Sequence, residues 1–198
     1  MSQIRFDQIK GLIIDMDGVL WRDNTPIGNL VSLFEGIKDL GLQFVLATNN
    51  ATRTVDEYHT KLNGFGVELE EWQVINVAQA TGIFLQEKYP NGVRAYVVGQ
   101  PSLKRTLESY GVALVDETQL DIDVVVASLD YDLNYSKLKH ASLLIQSGAE
   151  FIGTNQDATF PTPEGLIPGS GTVIGAIEIA SGTKAEMIGK PQPLLYQM

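Results

Sequence analysis

The 198-residue chain contains no cysteine. Disulfides, thiolate metal sites and cysteine nucleophiles are therefore excluded. Histidine is nearly absent too: His59 and His140 are the only two, and both fall in helical patterns without clustered metal-ligand spacing. Basic residues are outnumbered, 14 Lys and Arg against 24 Asp and Glu, for a formal net charge of −10. Such a surface repels nucleic acid and anionic lipid, so neither is an expected partner. An anionic substrate then needs a local positive feature, such as a metal ion, a lysine or a helix N-terminus. No apolar run is long enough to span a membrane, and Met1–Lys10 lacks a signal-peptide core. The expected location is cytoplasmic. What the chain does have is a hydrophobic fraction of 44%, enough for an ordinary globular core.

The pattern along the chain alternates strands and helices. Gly11–Asp15 is a short apolar run of buried-strand type. Leu30, Leu33, Phe34, Ile37 and Leu40 follow helical spacing, and Gly41 stops that helix. Leu42–Ala47 reads as a second strand. Thr54-Val55-Asp56-Glu57 is a capping box that opens a helix ending at Gly64. A helix is expected over Val77–Lys88, a strand over Ala95–Val98, and a helix from Pro101 to a stop at Gly111. Val124–Ala127, Ser136–Gln146 and Phe151–Gly153 read as strand, helix and strand. This alternation predicts parallel sheets in an α/β fold. Thr154–Gly171 is rich in Pro and Gly and poor in periodicity, and reads as a long functional loop.

Asp15 and Asp17 stand at the end of the first strand, separated by one residue. In an extended chain residues i and i+2 share a face, so both carboxylates reach one site while Met16 faces the core. Gly18 then lets the backbone turn and approach a ligand closely. Ligands of open parallel sheets bind at the carboxyl ends of the strands. An ionised Asp can attack phosphorus directly. Two crowded carboxylates require either that one be protonated, and so serve as an acid, or that a cation such as Mg²⁺ intervene. Asp-x-Asp-Gly also suits an ordinary turn after a strand. An EF-hand loop does not fit, because its downstream ligands are missing.

Further segments are informative as a set. Leu46-Ala47-Thr48-Asn49-Asn50 ends the second strand with a hydroxyl and an amide. Gly189-Lys190-Pro191 places a lone lysine in a short loop. With Asp15-Met16-Asp17-Gly18, in this order, they resemble the haloacid dehalogenase superfamily of phosphatases. Gly153-Thr154-Asn155-Gln156-Asp157, followed by Pro161–Gly165 and Pro168–Gly171, is similar to the NagD / p-nitrophenyl phosphatase branch, subfamily IIA. The resemblance covers nearly the whole chain. It implies a Rossmann-like parallel-sheet core with an inserted α/β cap of C2 type: core at 1–76 and 183–198, cap at 77–182. It implies Mg²⁺ as cofactor, held by Asp15 and Asp17, and a small phosphorylated substrate. Asp15 is the implied nucleophile and Asp17 the acid/base. Thr48, the Asn49 backbone N–H and Lys190 hold the phosphoryl group, and Asn155 and Asp157 lie on the cap near the leaving group. Homo-oligomerisation is compatible with the reading and not specified by it.

The superfamily has a fourth acidic motif, and the chain stops at Met198, eight residues after Lys190, without it. The expectation is a fragment or a variant, with weakened metal binding and an apolar first strand exposed at a sheet edge. The rival reading is a catalytically impaired phosphate-binding or interaction protein on the same fold. A dehalogenase is disfavoured by Asp17, and a phosphotransferase would have to protect its aspartyl-phosphate from water. Gly169-Ser170-Gly171-Thr172-Val173-Ile174-Gly175 superficially resembles a dinucleotide fingerprint. Its third glycine is one residue late and no strand is expected immediately before it, so it reads as the start of a small-residue helix.

Overall fold

The structure, a computed structural model, describes residues 8–116, 118–119, 121–162 and 164–198. Its contacts divide the chain into two units, Met1–Thr48 with Val55–Ile75, and Asn49–Thr54 with Asn76–Met198.

In the first unit, β1 (Gly11–Ile14) pairs in parallel with β4 (Gln43–Thr48), in the register Gly11↔Gln43 to Ile14↔Leu46. The order of this sheet is β1-β4-β5, with β5 at Val74–Asn76. A small ribbon of β2 (Trp21–Arg22) and β3 (Thr25–Pro26) follows β1. Helix α1 (Leu30–Asp39) starts at Asn29, whose side chain accepts the Ser32 N–H, and gives way to Gly41 at φ +70°. It buries Leu30, Phe34 and Ile37, and Phe34 stacks on Phe44 of β4 with ring centroids 4.8 Å apart. Helix α2 (Val55–Gly64) adds Tyr58 and Leu62 to the same core.

The second unit is built on a five-stranded sheet in which every pair is parallel. Its order is β12-β9-β8-β6-β7, with β6 at Val93–Val98, β7 at Val112–Val115, β8 at Val124–Ala127, β9 at Glu150–Gly153 and β12 at Glu186–Met187. All four residues of β8 are buried, which is why that strand reads as an unbroken apolar run, the signature of a parallel strand covered on both faces. Helices α5 (Tyr135–Gln146) and α6 (Ser170–Ser181) cover one face with Ala141, Leu144, Ile145, Val173, Ile174 and Ile177. Helices α3 (Val77–Lys88) and α4 (Pro101–Ser109) pack on each other, and both contact β7. Asn76 and Gln79 form a capping box at the start of α3. Asn134 caps α5 by accepting the Lys137 N–H at 3.0 Å. The short α7 (Leu194–Gln197) buries Leu195 and packs on α3.

Two expectations fail. Thr154–Gly171 is not one long loop: β10 (Thr159–Thr162) and β11 (Gly165–Pro168) form an antiparallel hairpin within it. Pro163, between the two strands in sequence, lies outside the described residues. The absence of a strand before Gly169 also fails, because β11 ends at Pro168. That strand belongs to the hairpin and not to the parallel sheet, and α6 begins at Ser170 as the small-residue reading expects. Trp21–Arg22, Val74–Asn76 and Val112–Val115 form strands not anticipated from periodicity; these runs are two to four residues long, too short for a period to register.

Candidate active site

The acidic motif follows the last residue of β1. Met16 is fully buried, Asp15 is exposed and Asp17 half-buried, the alternation expected of an extended chain. Two donors hold the Asp17 carboxylate. The Trp21 Nε1–H donates to Oδ1 at 2.9 Å, and the Thr48 hydroxyl donates to Oδ2 at 3.3 Å. A tight turn brings Trp21 back to Asp17: Gly18 adopts φ +82°, its N–H donates to the Trp21 carbonyl at 2.8 Å, and the Leu20 N–H donates to the Met16 carbonyl at 2.9 Å. A β-carbon disfavours that φ, so glycine suits the position. Trp21 is itself immobilised. It is fully buried, it stacks on Tyr58 at 6.3 Å between centroids, and the Lys61 ammonium lies 4.2 Å from its ring centroid. Lys61 in turn donates to the Asp23 carbonyl at 2.6 Å. An aromatic cluster thus fixes the donor, and the donor orients the carboxylate.

The second unit gathers the other candidate residues. Strands β9 and β12 are parallel neighbours, so the loops after them, Thr154–Asp157 and Ile188–Lys190, leave from the same end of the sheet. The Lys190 N–H donates to Asn49 Oδ1 at 2.7 Å, and Asn49 Nδ2 donates to the Lys190 carbonyl at 3.0 Å. Asn49 Nδ2 also lies 3.3 Å from Asp157 Oδ2. Asn155 Nδ2 donates to the Asn49 carbonyl at 2.7 Å and to Ser170 Oγ at 3.2 Å, while Asn155 Oδ1 accepts the Asp157 N–H at 3.0 Å. Asn155 is buried, Asp157 is exposed and Lys190 half-buried. The Gly189 N–H donates to the Thr154 carbonyl at 2.7 Å. A β-carbon on Gly189 would sit 2.6 Å from both Asn49 Oδ1 and the Thr154 oxygen, so close approach restricts this position to glycine. The Lys190–Pro191 peptide is cis.

Asp15, Asp17 and Thr48 therefore lie in the first unit, and Asn49, Asn155, Asp157 and Lys190 in the second. Sequence reasoning missed Trp21, although an indole four residues after an acidic pair is a donor within turn reach. It also missed Ser170, which the Leu129 N–H meets at 3.1 Å. His59 and His140 lie in α2 and α5, and His140 packs edge-on against Tyr96 at 4.7 Å.

Among the described residues no group of three or more His, Cys, Asp or Glu side chains is placed to hold a metal ion. Asp15 and Asp17 offer oxygen donors only, with Asp15 open to solvent. That set fits a hard cation such as Mg²⁺, which keeps several waters and takes further ligands from substrate phosphate.

Residues 12–113 match the haloacid dehalogenase-like hydrolase family. The acid sugar phosphatase of Staphylococcus saprophyticus is 32% identical over 186 residues, 94% of this chain and 71% of the relative. The 4-nitrophenylphosphatase of Thermotoga maritima superposes with a TM-score of 0.88 at 32% identity, over 96% of this chain and 72% of that one. A glycerol phosphate phosphatase from Mycobacterium tuberculosis, solved in complex with magnesium, gives 0.87 at 30% identity, over 96% and 56%. The parallel α/β fold and the ordered acidic, hydroxyl and lysine motifs thus belong to a haloacid dehalogenase-like hydrolase, and the chain is a member of that family. Within it the chain is a phosphatase of the NagD / p-nitrophenyl phosphatase branch. Among the described residues no helix is long and apolar enough to cross a membrane.

Proposed function

We propose that the protein hydrolyses small phosphate monoesters in two steps through an aspartyl-phosphate on Asp15. The observation that carries this reading is the division of labour in the acidic pair. Asp17 is held at both oxygens by Trp21 and Thr48, while Asp15 stands exposed at the end of β1. A fixed carboxylate suits proton transfer, and an accessible one suits attack.

In the first step an Asp15 oxygen attacks phosphorus, the bond to the ester oxygen breaks, and protonated Asp17 gives its proton to the leaving oxygen. In the second, Asp17, now a carboxylate, takes a proton from water as the water oxygen attacks phosphorus. The bond to Asp15 breaks and inorganic phosphate leaves. Once Asp17 is protonated it can donate to Thr48 Oγ1, which frees the one Thr48 hydroxyl proton for a phosphoryl oxygen. The Asn49 N–H and Lys190 bind the others, and the lysine offsets their charge. The Asp15 carboxylate and the Asp17 backbone carbonyl would hold Mg²⁺, which when bound neutralises charge on the transferring group. Exposed Asp157 contributes to the leaving-group side, and buried Asn155 supports it from behind by accepting the Asp157 N–H at 3.0 Å. The relatives named for acid sugar and glycerol phosphates favour small polyol and sugar phosphates as substrates.

The test is an assay of the protein expressed from its full reading frame on a panel of phosphate monoesters, with Mg²⁺ and with excess chelator. Turnover lost in chelator and restored by Mg²⁺ is expected, as is ³²P retained on acid-quenched protein and absent from Asp15→Asn. Equal turnover in chelator removes the metal from the reading, and label on Asp15→Asn removes Asp15 as the nucleophile.

A further inference from the structure

We infer that the side chain of Asn49, as distinct from its backbone N–H, is the positioning residue for Lys190. This rests on the catalytic reading of Lys190 above. A carboxamide carries an acceptor oxygen and a donor nitrogen in one plane. In Asn49 the oxygen takes the Lys190 N–H at 2.7 Å and the nitrogen reaches the Lys190 carbonyl at 3.0 Å. One side chain, 141 positions away in sequence, therefore binds both backbone polar groups of a single residue. Holding the peptide on either side of a Cα fixes the direction in which its Cα–Cβ bond departs. For a long, flexible lysine stem, that direction decides where the ammonium is delivered.

The clamp is itself braced. Buried Asn155, 3% exposed, donates to the Asn49 carbonyl at 2.7 Å, and the Thr154 carbonyl accepts the Gly189 N–H at 2.7 Å. Gly189 has the least conformational restraint of any residue, so the order of this loop depends on its partners. Removing the Asn49 amide leaves Lys190 in place but loosens its base. A misplacement of about 1 Å in a catalytic group is worth roughly 10²-fold in rate.

A double-mutant cycle in the full-length protein tests this. Asn49→Ala is expected to lower kcat by about 10- to 100-fold, with KM changing by less than about threefold, the pattern of an interaction exerted mainly in the transition state. In a Lys190→Ala background the same substitution is expected to lower kcat by less than about threefold, because the side chain acts through Lys190. Asn49→Asp keeps the shape and the acceptor, loses the donor to the Lys190 carbonyl, and sets a carboxylate beside Asp157. Its loss is expected to be intermediate and again to vanish without Lys190. If thermal melting shows Asn49→Ala to be unfolded, the Asn49→Asp cycle decides. Losses that multiply with that of Lys190→Ala, or wild-type kcat in both Asn49 variants, overturn the inference. Wild-type kcat in Lys190→Ala itself is a different failure: it removes the catalytic reading of the lysine, and the inference falls with it.

Discussion

The two units solve the same problem to different depths. In the second, a five-stranded parallel sheet has β8 buried along its whole length, with helices α5 and α6 sealing one face. In the first, the sheet has three strands, and among the described residues β1 has β4 as its one strand neighbour. Ile13 of β1 is 52% exposed, whereas Ile152 of β9 is 1% exposed. The reacting carboxylates nevertheless follow β1. Burial and chemistry are thus separated: the second unit concentrates apolar packing, and the first presents its acidic residues from a strand with little cover. Substrate access does not require this exposure, because the ligand sites of parallel sheets lie beyond the carboxyl ends of strands that can themselves be fully covered.

Four changes sharpen or break this contrast. Asp15→Asn should reduce kcat by about 10⁴-fold while leaving stability within about 0.5 kcal/mol, as for other exposed substitutions. Steady-state kinetics and urea unfolding on the same preparation check both halves. A comparable loss of stability would contradict the separation. Ile152→Ala should do the reverse and destabilise by about 2–5 kcal/mol through lost burial and a cavity, read as a fall in the urea midpoint. Trp21→Phe keeps most of the ring but deletes the donor to Asp17. Loss of a hydrogen bond to a charged group, about 1.5–3 kcal/mol, predicts a kcat roughly ten- to a hundred-fold lower. An unchanged kcat would show that the indole N–H is not needed to orient the carboxylate. The smallest effect belongs to Ile13→Thr, expected within about 0.5 kcal/mol of wild type. Its use is in light scattering: reduced self-association would identify the β1 edge as the sticky surface, as unpaired apolar strands are known to be.

Legibility in the sequence followed the range of the interaction. Helix α3 was readable to the residue, because Asn76 and Gln79 cap it locally and Lys88 closes its periodic run. The parallel sheet was readable because β6, β8 and β9 are short apolar runs bounded by turns. The β10–β11 hairpin was not, since Pro161 and Pro168 both sit in its strands, and proline argues against a strand except at an edge. The acidic pair and the Lys190 motif could be found as motifs. The clamp by Asn49 could not, because nothing local in Leu46–Asn50 says that an amide there will meet a backbone 141 positions later. Trp21 lies between these cases: its indole is within turn reach in sequence, but its role depends on the φ of Gly18.

The β10–β11 hairpin has a further meaning as a detachable part. Its stem is closed on itself: the Ala158 carbonyl accepts both the Gly169 N–H at 2.9 Å and the Thr172 hydroxyl at 2.7 Å, and the Asp157 carbonyl accepts the Gly171 N–H at 2.9 Å. The chain leaves β9, makes its excursion, and re-enters α6 through one tied knot of backbone. Both hairpin strands also touch α6, with Phe160 and Ile167 half-buried, so an exchange of residues 159–168 that keeps those two apolar positions is expected to leave the melting temperature unchanged.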